Sequence, residues 1–220
     1  MFIGHFGLAL AAKKLAPKTS LGTLILAADF VDLLWPIFLL LDIEQVRIVP
    51  GITRMSPLAF VSYPFTHSLA MVLLWSLVVA GLYFGLRGYP RGAWMVGLLV
   101  LSHWFLDFLV HRPDLLLWPG GGIKLGLGIW NSAALTIISE VLCFGIGIWL
   151  YIDMTRPVDN AGKYALWSML IFLFVAWAGS MLGGAPPSEA VVAWGAMAVW
   201  ILVPWGWWID NHRTLREGLY

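Results

Sequence analysis

The chain has 220 residues, of which 60% are hydrophobic and only 11% are charged, and 14 of them are tryptophan. This composition is far more apolar than that of soluble proteins, so water is excluded as the main solvent of the chain. The formal net charge of +1 argues against a basic surface made for nucleic acid, and we expect no nucleic-acid partner.

The first sixteen residues predict a short helix that does not cross the membrane. The stretch from Met1 to Ala12 is apolar and precedes Lys13 and Lys14, which is the reverse of the order in a secretion signal. It is also shorter than the roughly 20 residues that a span needs. We expect a half-span helix that packs beside the first span and joins it through the turn at Pro17.

Six further runs are long and apolar enough to cross the hydrocarbon core. They lie near residues 20–41, 67–86, 92–111, 132–152, 164–182 and 189–209. Turn-rich segments separate them, and no internal repeat or soluble domain is evident. The sequence therefore predicts one all-α, polytopic membrane domain over 1–220, a helical bundle of about six transmembrane helices plus the N-terminal half-span helix.

The distribution of Lys and Arg predicts the orientation of the bundle. Nine cations fall on one side: Lys13, Lys14, Lys18, Arg87, Arg91, Arg156, Lys163, Arg213 and Arg216. Four fall on the other: Arg47, Arg54, Arg112 and Lys124. We therefore expect a multi-pass protein of the plasma membrane with both termini in the cytoplasm.

Ionisable side chains within the first four runs are the most informative feature of the sequence. They are Asp29, Asp32, His67, His103, Asp107, His111 and Glu140. An ionisable group near the bilayer centre costs about 2.5–3.5 kcal/mol on insertion scales, so each needs a partner or a function. Structural hydrogen bonding or interfacial capping is an alternative for any one of them, above all Asp32 or His111. Salt bridges are a weaker alternative, because the helix interiors lack Lys and Arg.

The spacing of these residues predicts that they converge. His103, Asp107 and His111 recur every four residues and project from one helical face, and Asp29 and Asp32 share a face of the first span. In the proposed topology all of them lie in the outer half of the bilayer, and His5 reaches a depth similar to that of Asp29.

A set of imidazoles and carboxylates without thiolate suits Zn²⁺, or Fe²⁺ and Mn²⁺. Seven or eight ligands are too many for one tetrahedral ion, so we expect two or three metal ions, as in sites that hydrolyse phosphate esters and amides. Asp29 or Asp32 would bridge the ions or orient the attacking water, and Asp32 is the better candidate for a catalytic base.

A site in the outer half of the bilayer is most easily reached by a lipid or a lipid-linked headgroup. Four cations near that side are candidates for binding a phosphate: Arg47, Arg54, Arg112 and Lys124. Contact with lipid headgroups at the interface is the alternative for each of them individually.

Short motifs along residues 1–150 resemble the YdjM-like family of inner-membrane-associated metal-dependent hydrolases. They are Gly4-His5-Phe6-Gly7, Ala28-Asp29-Phe30-Val31-Asp32, Thr66-His67-Ser68, Ser102-His103-Trp104-Phe105-Leu106-Asp107, and Gly126 to Ser132 followed by Glu140. The order of these residues is also similar to that of the zinc-dependent phospholipase C and P1 nuclease superfamily, which cleaves phosphodiesters at a three-zinc site.

This resemblance implies a hydrolase, zinc as the metal, and a set of seven ligands: His5, Asp29, His67, His103, Asp107, His111 and Glu140. The soluble enzymes also use a late His-x-x-x-Glu or His-x-x-x-Asp motif, whereas Thr136 occupies the position four before Glu140. We therefore expect a two-metal site in preference to three metals.

The predicted function is a membrane-embedded hydrolase of a phosphoester in a lipid or lipid-linked substrate. Metal-binding helices would occupy 1–153, and 163–209 would supply two scaffold helices that carry almost no ionisable residue. A divalent-metal transporter is an alternative, although transporters commonly show repeated halves. A regulatory or scaffold protein with a structural metal is another, and the sequence does not separate it from an enzyme.

Overall fold

The protein is an all-α bundle, in a computed structural model that describes residues 1–216; the last four residues of the predicted 1–220 domain lie outside the described residues. In chain order the helices are α1 (Ile3–Leu15), α2 (Leu21–Ala28), α3 (Phe30–Leu40), α4 (Pro64–His67), α5 (Leu69–Arg87), α6 (Pro90–Val110), α7 (Ala133–Met154), α8 (Asn160–Leu182), α9 (Glu189–Met197) and α10 (Leu202–Asn211). The strands are β1 (Gln45–Ile48), β2 (Leu58–Ser62), β3 (Leu115–Trp118), β4 (Gly121–Leu125), β5 (Thr155–Pro157) and β6 (Arg213–Leu215).

The predicted polytopic bundle is confirmed. Five helical runs of the described chain are long and apolar enough to cross a membrane: α5, α6, α7, α8 and the run from α9 through a 3-10 turn to α10. The sixth predicted run, near 20–41, is divided into α2 and α3, which meet at a bend of 57°. The run is therefore bent in its middle, at Asp29, and counts as a sixth span only if the two helices cross the membrane together.

Capping residues explain where the spans begin and end. Side chains accept the backbone N–H three residues later at the starts of α7, α8 and α9: Ser132, Asp159 and Ser188. Gly88 ends α5 in the left-handed conformation, with φ of +60°, and Pro90 starts α6 two residues later. Local sequence thus fixes the tight reversals between successive spans.

Helix α1 packs chiefly against α7, in addition to the predicted contact with the first span. Glycine makes this close approach possible. A Cβ atom on Gly7 would lie 2.5 Å from the carbonyl oxygen of Cys143, and one on Gly147 would lie 2.1 Å from that of Gly7. The backbones of the two helices are therefore in direct contact, as in other packed membrane helices with small residues at the interface.

The bend at Asp29 gives the two halves of the broken span different neighbours. Helix α2 packs against α1, α6 and α10, whereas α3 contacts α4 and α9. The backbone of Asp29 lies outside the helical region, with φ of −105° and ψ of 13°. Its side chain and that of Asp32 reach the neighbourhood of α6 from this broken segment.

Two hairpins cover the end of the bundle to which α1 presents its first turn. Strands β1 and β2 join α3 to α4, and β3 and β4 join α6 to α7, each as an antiparallel pair. The loop of the first hairpin contacts the turn that follows the second, where the Met55 N–H donates to the carbonyl oxygen of Trp130 at 3.1 Å. Strands β5 and β6 pair at the opposite end of the bundle.

Lys13 links several helices at the end of the bundle where β5 and β6 pair. Its ammonium group lies 2.5 Å from Asp210 Oδ2 and also donates to the carbonyl oxygen of Thr19 at 3.0 Å. Asp210 accepts two more hydrogen bonds, from the Leu21 N–H and the Tyr151 hydroxyl. This buried group ties α1, α2, α7 and α10 together, so the position of α1 is fixed at both of its ends.

Candidate metal centre

Asp107, on α6, is the common neighbour of the predicted histidines. Its Oδ1 contacts the amine of Met1 and lies 3.2 Å from His5 Nε2. Three more imidazoles direct Nε2 at Oδ2: His103 at 3.3 Å, His67 at 3.7 Å and His111 at 3.7 Å. Four imidazoles from three separate parts of the chain thus surround one carboxylate.

Asp32 supplies a second carboxylate to the same cluster. Its two oxygens lie 3.3 Å from His67 Nε2 and 3.6 Å from His103 Nε2. Two groups of three possible ligand atoms therefore form, each with all atoms within 4.8 Å of one another: His5, His103 and Asp107, and Asp32, His67 and His103. The Asp32 side chain is 35% exposed, whereas the Asp107 and His103 side chains are at most 3% exposed.

Asp29 lies beside these groups without belonging to either of them. It is buried, and its Oδ2 has no hydrogen-bond partner among the described residues. His103 and Asp32 are among its ionisable neighbours. An unpaired buried carboxylate oxygen is costly, so its free oxygen is available to a cation.

Glu140, on α7, makes a different kind of contact. Both of its oxygens accept the Phe2 N–H, at 2.9 and 3.1 Å, and Oε2 also accepts the Gly4 N–H at 2.9 Å. These are the unpaired N–H groups at the start of α1, where a carboxylate is favourable. Glu140 therefore caps α1 and holds His5 in register, and neither three-ligand group includes it.

Each of three histidines has its second ring nitrogen engaged outside the cluster. His103 Nδ1 donates to the carbonyl oxygen of Ala28 at 2.8 Å. His111 Nδ1 donates to Asp114 Oδ1 at 3.0 Å. His67 Nδ1 lies 2.6 Å from the Thr66 hydroxyl, which itself donates to Glu44 Oε2 at 2.6 Å.

These outer hydrogen bonds fix the tautomer of the three rings. A carbonyl or carboxylate oxygen only accepts, and the Thr66 hydroxyl has given its hydrogen to Glu44, so the proton lies on Nδ1 in each case. The Nε2 lone pairs then face Asp107 and Asp32, and His103 Nε2 has no hydrogen-bond partner among the described residues. Lone pairs and carboxylates facing one another in a buried site are unfavourable without a cation.

The donor set therefore fits a divalent metal. Neutral imidazole nitrogens and carboxylate oxygens suit Zn²⁺, Fe²⁺ or Mn²⁺, and outer partners of the kind seen here orient metal-binding histidines in general. His103 is common to both groups, and its one free nitrogen would bind one ion. Asp107, whose two oxygens face different imidazoles, would hold metal in the role for which the sequence had suggested Asp29 or Asp32.

A cavity of about 480 Å³ reaches the cluster. Asp32, His67, Asp107 and His111 line one part of it, and aromatic side chains line another: Trp35, Phe60, Trp130 and Trp177. The Trp130 ring packs against His111 with centroids 4.3 Å apart. The volume is typical of a ligand site, and Asp32 is the most accessible carboxylate of the cluster.

The four predicted phosphate-binding cations lie in different places. Arg54 lines the cavity, on the loop between β1 and β2. Arg112 pairs with Asp114 at 3.1 Å, and Arg47 lines a separate cavity near the start of α9. Lys124 is exposed on β4. Only Arg54 among the four is therefore in contact with the cavity that reaches the cluster.

The outer partners Glu44, Tyr63 and Asp114 were not predicted, and Thr66 was noted only as part of a motif, because these residues lie outside the apolar runs that indicated the other site residues. Burial raises the pKa of Asp114, but hydrogen bonds from His111, Tyr63 and Arg112 outweigh it and hold that pKa below its ordinary value. Spacing offered a signal, since Asp114 follows His111 by three residues and Thr66 adjoins His67.

Comparison with known proteins supplies the family. Residues 2–185 match the family described as YdjM inner membrane protein, and the match covers most of the chain. No curated protein and no solved structure matches the chain. The apolar helices described above agree with a membrane protein. Because the match covers most of its sequence, the chain belongs to the YdjM inner membrane protein family.

Proposed function

We propose that this membrane protein is a metal-dependent hydrolase that cleaves a phosphoester in a lipid or lipid-linked substrate. One observation carries the proposal. Three imidazoles whose Nδ1 atoms are engaged elsewhere direct Nε2 at Asp107, and two of them also approach Asp32. Both carboxylates line a cavity that also contains Arg54. The order of the sequence motifs along residues 1–150 supports the same function.

We propose that two ions are held by His5, His67, His103 and Asp107, which belong to the two three-ligand groups, while Asp32 stays free to act as the base. When bound, divalent ions supply Lewis acidity and lower the pKa of a water from 15.7 towards about 7. Asp29, with its unpaired oxygen, and His111, with Nε2 directed at Asp107, complete the set. Glu140 contributes by holding α1, and so His5, in place.

Asp32 is proposed to act on the attacking water. Its carboxylate is the accessible one, and it accepts a proton as the water oxygen bonds to phosphorus and the ester P–O bond breaks. That proton then passes to the leaving alkoxide, which departs as the alcohol. The Arg54 guanidinium binds the phosphate oxygens, for which its planar set of donors is suited. The aromatic wall excludes bulk water from the reacting group.

The cavity argues against a purely structural metal site. A structural site is closed by protein ligands on all sides. Here Asp32 is 35% exposed and faces a cavity of about 480 Å³.

The proposal also includes cytoplasmic termini and a site in the outer half of the bilayer.

The test is release of phosphate or headgroup from a panel of phospholipids and lipid phosphates by the purified, metal-loaded protein. Asp32→Asn should lower the rate about 10²-fold or more, since a positioned base contributes 10²–10⁴. Asp153→Asn is the matched control, because that carboxylate is half exposed and pairs with Lys14 away from the cluster.

Undiminished release by Asp32→Asn, or no release from any lipid by protein shown to contain metal, would contradict the proposal. Saturable Zn²⁺ uptake into proteoliposomes, without hydrolysis, would favour the transporter instead.

A further inference from the structure

The end of α8 belongs to the cavity wall, although the sequence predicted only a scaffold there. Trp177 and Met181 line the cavity one helical turn apart, and residues 183–186 continue the wall. Trp177 is 5% exposed, whereas Leu182, next to Met181, is 88% exposed. The part of the cavity wall that α8 forms therefore extends from the buried interior to the outer surface of the bundle within one helical turn.

This part of the wall offers no charge and little hydrogen bonding. Glu189 is the only Asp, Glu, Lys, Arg or His between Tyr164 and Ile209. The Ser180 hydroxyl donates to the carbonyl oxygen of Trp177 at 2.7 Å, so the Trp177 indole N–H, which has no partner among the described residues, is the one side-chain donor left in this part of the wall. The other part of the same cavity holds Asp32 and Arg54, so the cavity is amphipathic.

We infer that the last turn of α8 and residues 183–186 form the binding subsite for the hydrocarbon chain of a lipid that carries a phosphate ester in its headgroup. The inference rests on the proposed function and adds the subsite that selects a lipid over a water-soluble phosphoester. The headgroup lies between Arg54 and the metal cluster, and the chain lies against Trp177 and Met181.

Three observations favour a lipid over other occupants. The chain spans a membrane, so hydrocarbon is the material in contact with exposed residues such as Leu182. The cavity is continuous from the polar cluster to this apolar wall, as an amphiphile requires. Burial of apolar chain surface against this wall is favourable, and a soluble phosphoester without a chain would not gain it.

The experiment uses phosphatidylglycerol with a photoreactive diazirine in its acyl chain, added to the full-length protein in maltoside micelles, which contain no phosphate. We expect saturable labelling of residues 177–186. Unlabelled phosphatidylglycerol should compete, whereas diacylglycerol with the same chains should compete about tenfold less well. Leu77, which is strongly exposed on α5, provides the reference for unsaturable contact with surrounding hydrocarbon.

A pair of neighbouring variants makes the test specific. Met181→Trp fills the subsite and should lower saturable labelling about tenfold, whereas Leu182→Trp, which points away from the cavity, should leave it unchanged. Both variants should keep the metal content of the wild type. Labelling of 177–186 that is absent, unsaturable, or equal in the two variants would overturn the inference.

The same preparations separate this inference from the proposed function. Hydrolysis of lipid without saturable labelling at 177–186 would contradict the subsite alone. Saturable labelling without hydrolysis, in protein that contains metal, would contradict the proposed enzyme while retaining the lipid site. Capture of a peptide or a second copy of the chain at this wall, with no competition by phosphatidylglycerol, would also overturn the inference.

Discussion

Thr66 connects the buried carboxylate of Glu44 to the imidazole of His67, with its hydroxyl 2.6 Å from Glu44 Oε2 and 2.6 Å from His67 Nδ1. Glu44 is held in turn by the N–H groups of Phe65 and Thr66, at 2.8 and 2.9 Å. The chain of contacts begins in the segment outside the spans and ends at the candidate metal centre. Glu44 and Thr66 are therefore positioning residues for His67.

We predict that Thr66→Val lowers metal affinity about 10- to 100-fold, because His67 loses the partner that fixes its tautomer. Thr66→Ser keeps the hydroxyl and should restore most of the affinity. Metal titration with a competing chelator measures both, with the exposed Thr214→Val as control. Equal affinity of Thr66→Val and the wild type would contradict the positioning role.

Gly147→Ala should destabilise the protein and reduce metal binding, because its new Cβ would lie 2.1 Å from the Gly7 carbonyl oxygen and push α1 away from α7. His5 and the cap at Glu140 would move with α1. Gly145→Ala, two residues earlier with open space around its Cβ, should be neutral or slightly stabilising. Thermal unfolding in detergent and metal content test this pair, and similar results for both would refute the proposed helix contact.

Lys13→Met should cost about 3–5 kcal/mol of stability, since it leaves Asp210 buried without its cation. The adjacent Lys14→Met should cost about 0–1 kcal/mol, because its pair with Asp153 spans 3.8 Å and is half exposed. Denaturant or thermal unfolding of the two variants compares a buried with an exposed pair on one helix. A Lys13→Met protein as stable as Lys14→Met would mean that the buried pair contributes nothing.

Hydrophobic runs were sufficient to predict the bundle, because each span must satisfy its own backbone hydrogen bonds and so reads as a continuous apolar helix. The bend at Asp29 was not predictable in this way, since the run of residues 20–41 is apolar on both sides of it. The close pairing of α1 with α7 depends on Gly7 and Gly147, which are far apart in sequence.

The candidate site was likewise predictable only where local sequence spacing determines it. His103 and Asp107 were recognisable as neighbours because helical spacing places them on one face. The acid that caps α1 and the residues that orient the imidazoles depend on contacts between parts of the chain that are far apart in sequence. Glu140 illustrates this, since its carboxylate was expected to be a ligand and its oxygens accept backbone N–H groups 136 and 138 residues away.

The proposed orientation predicts a difference between two loop positions. In a Cys143→Ala background, Ile123→Cys lies on the β4 strand at the site end, and Val158→Cys lies at the opposite end; both positions are strongly exposed. A membrane-impermeant maleimide added to intact cells should label Ile123→Cys and not Val158→Cys. Permeabilised cells should show labelling of both, and the reverse pattern in intact cells would invert the assigned topology.

Metal analysis of the purified protein tests the central claim most directly. The wild type should contain more than one divalent ion per chain, and His103→Ala should lose at least one of them, because the single free nitrogen of His103 belongs to both candidate ligand groups. His212→Ala, which removes an imidazole that pairs with Asp159 outside the cluster, should retain it. A metal-free wild type, or equal metal in His103→Ala and His212→Ala, would contradict a metal centre at this site.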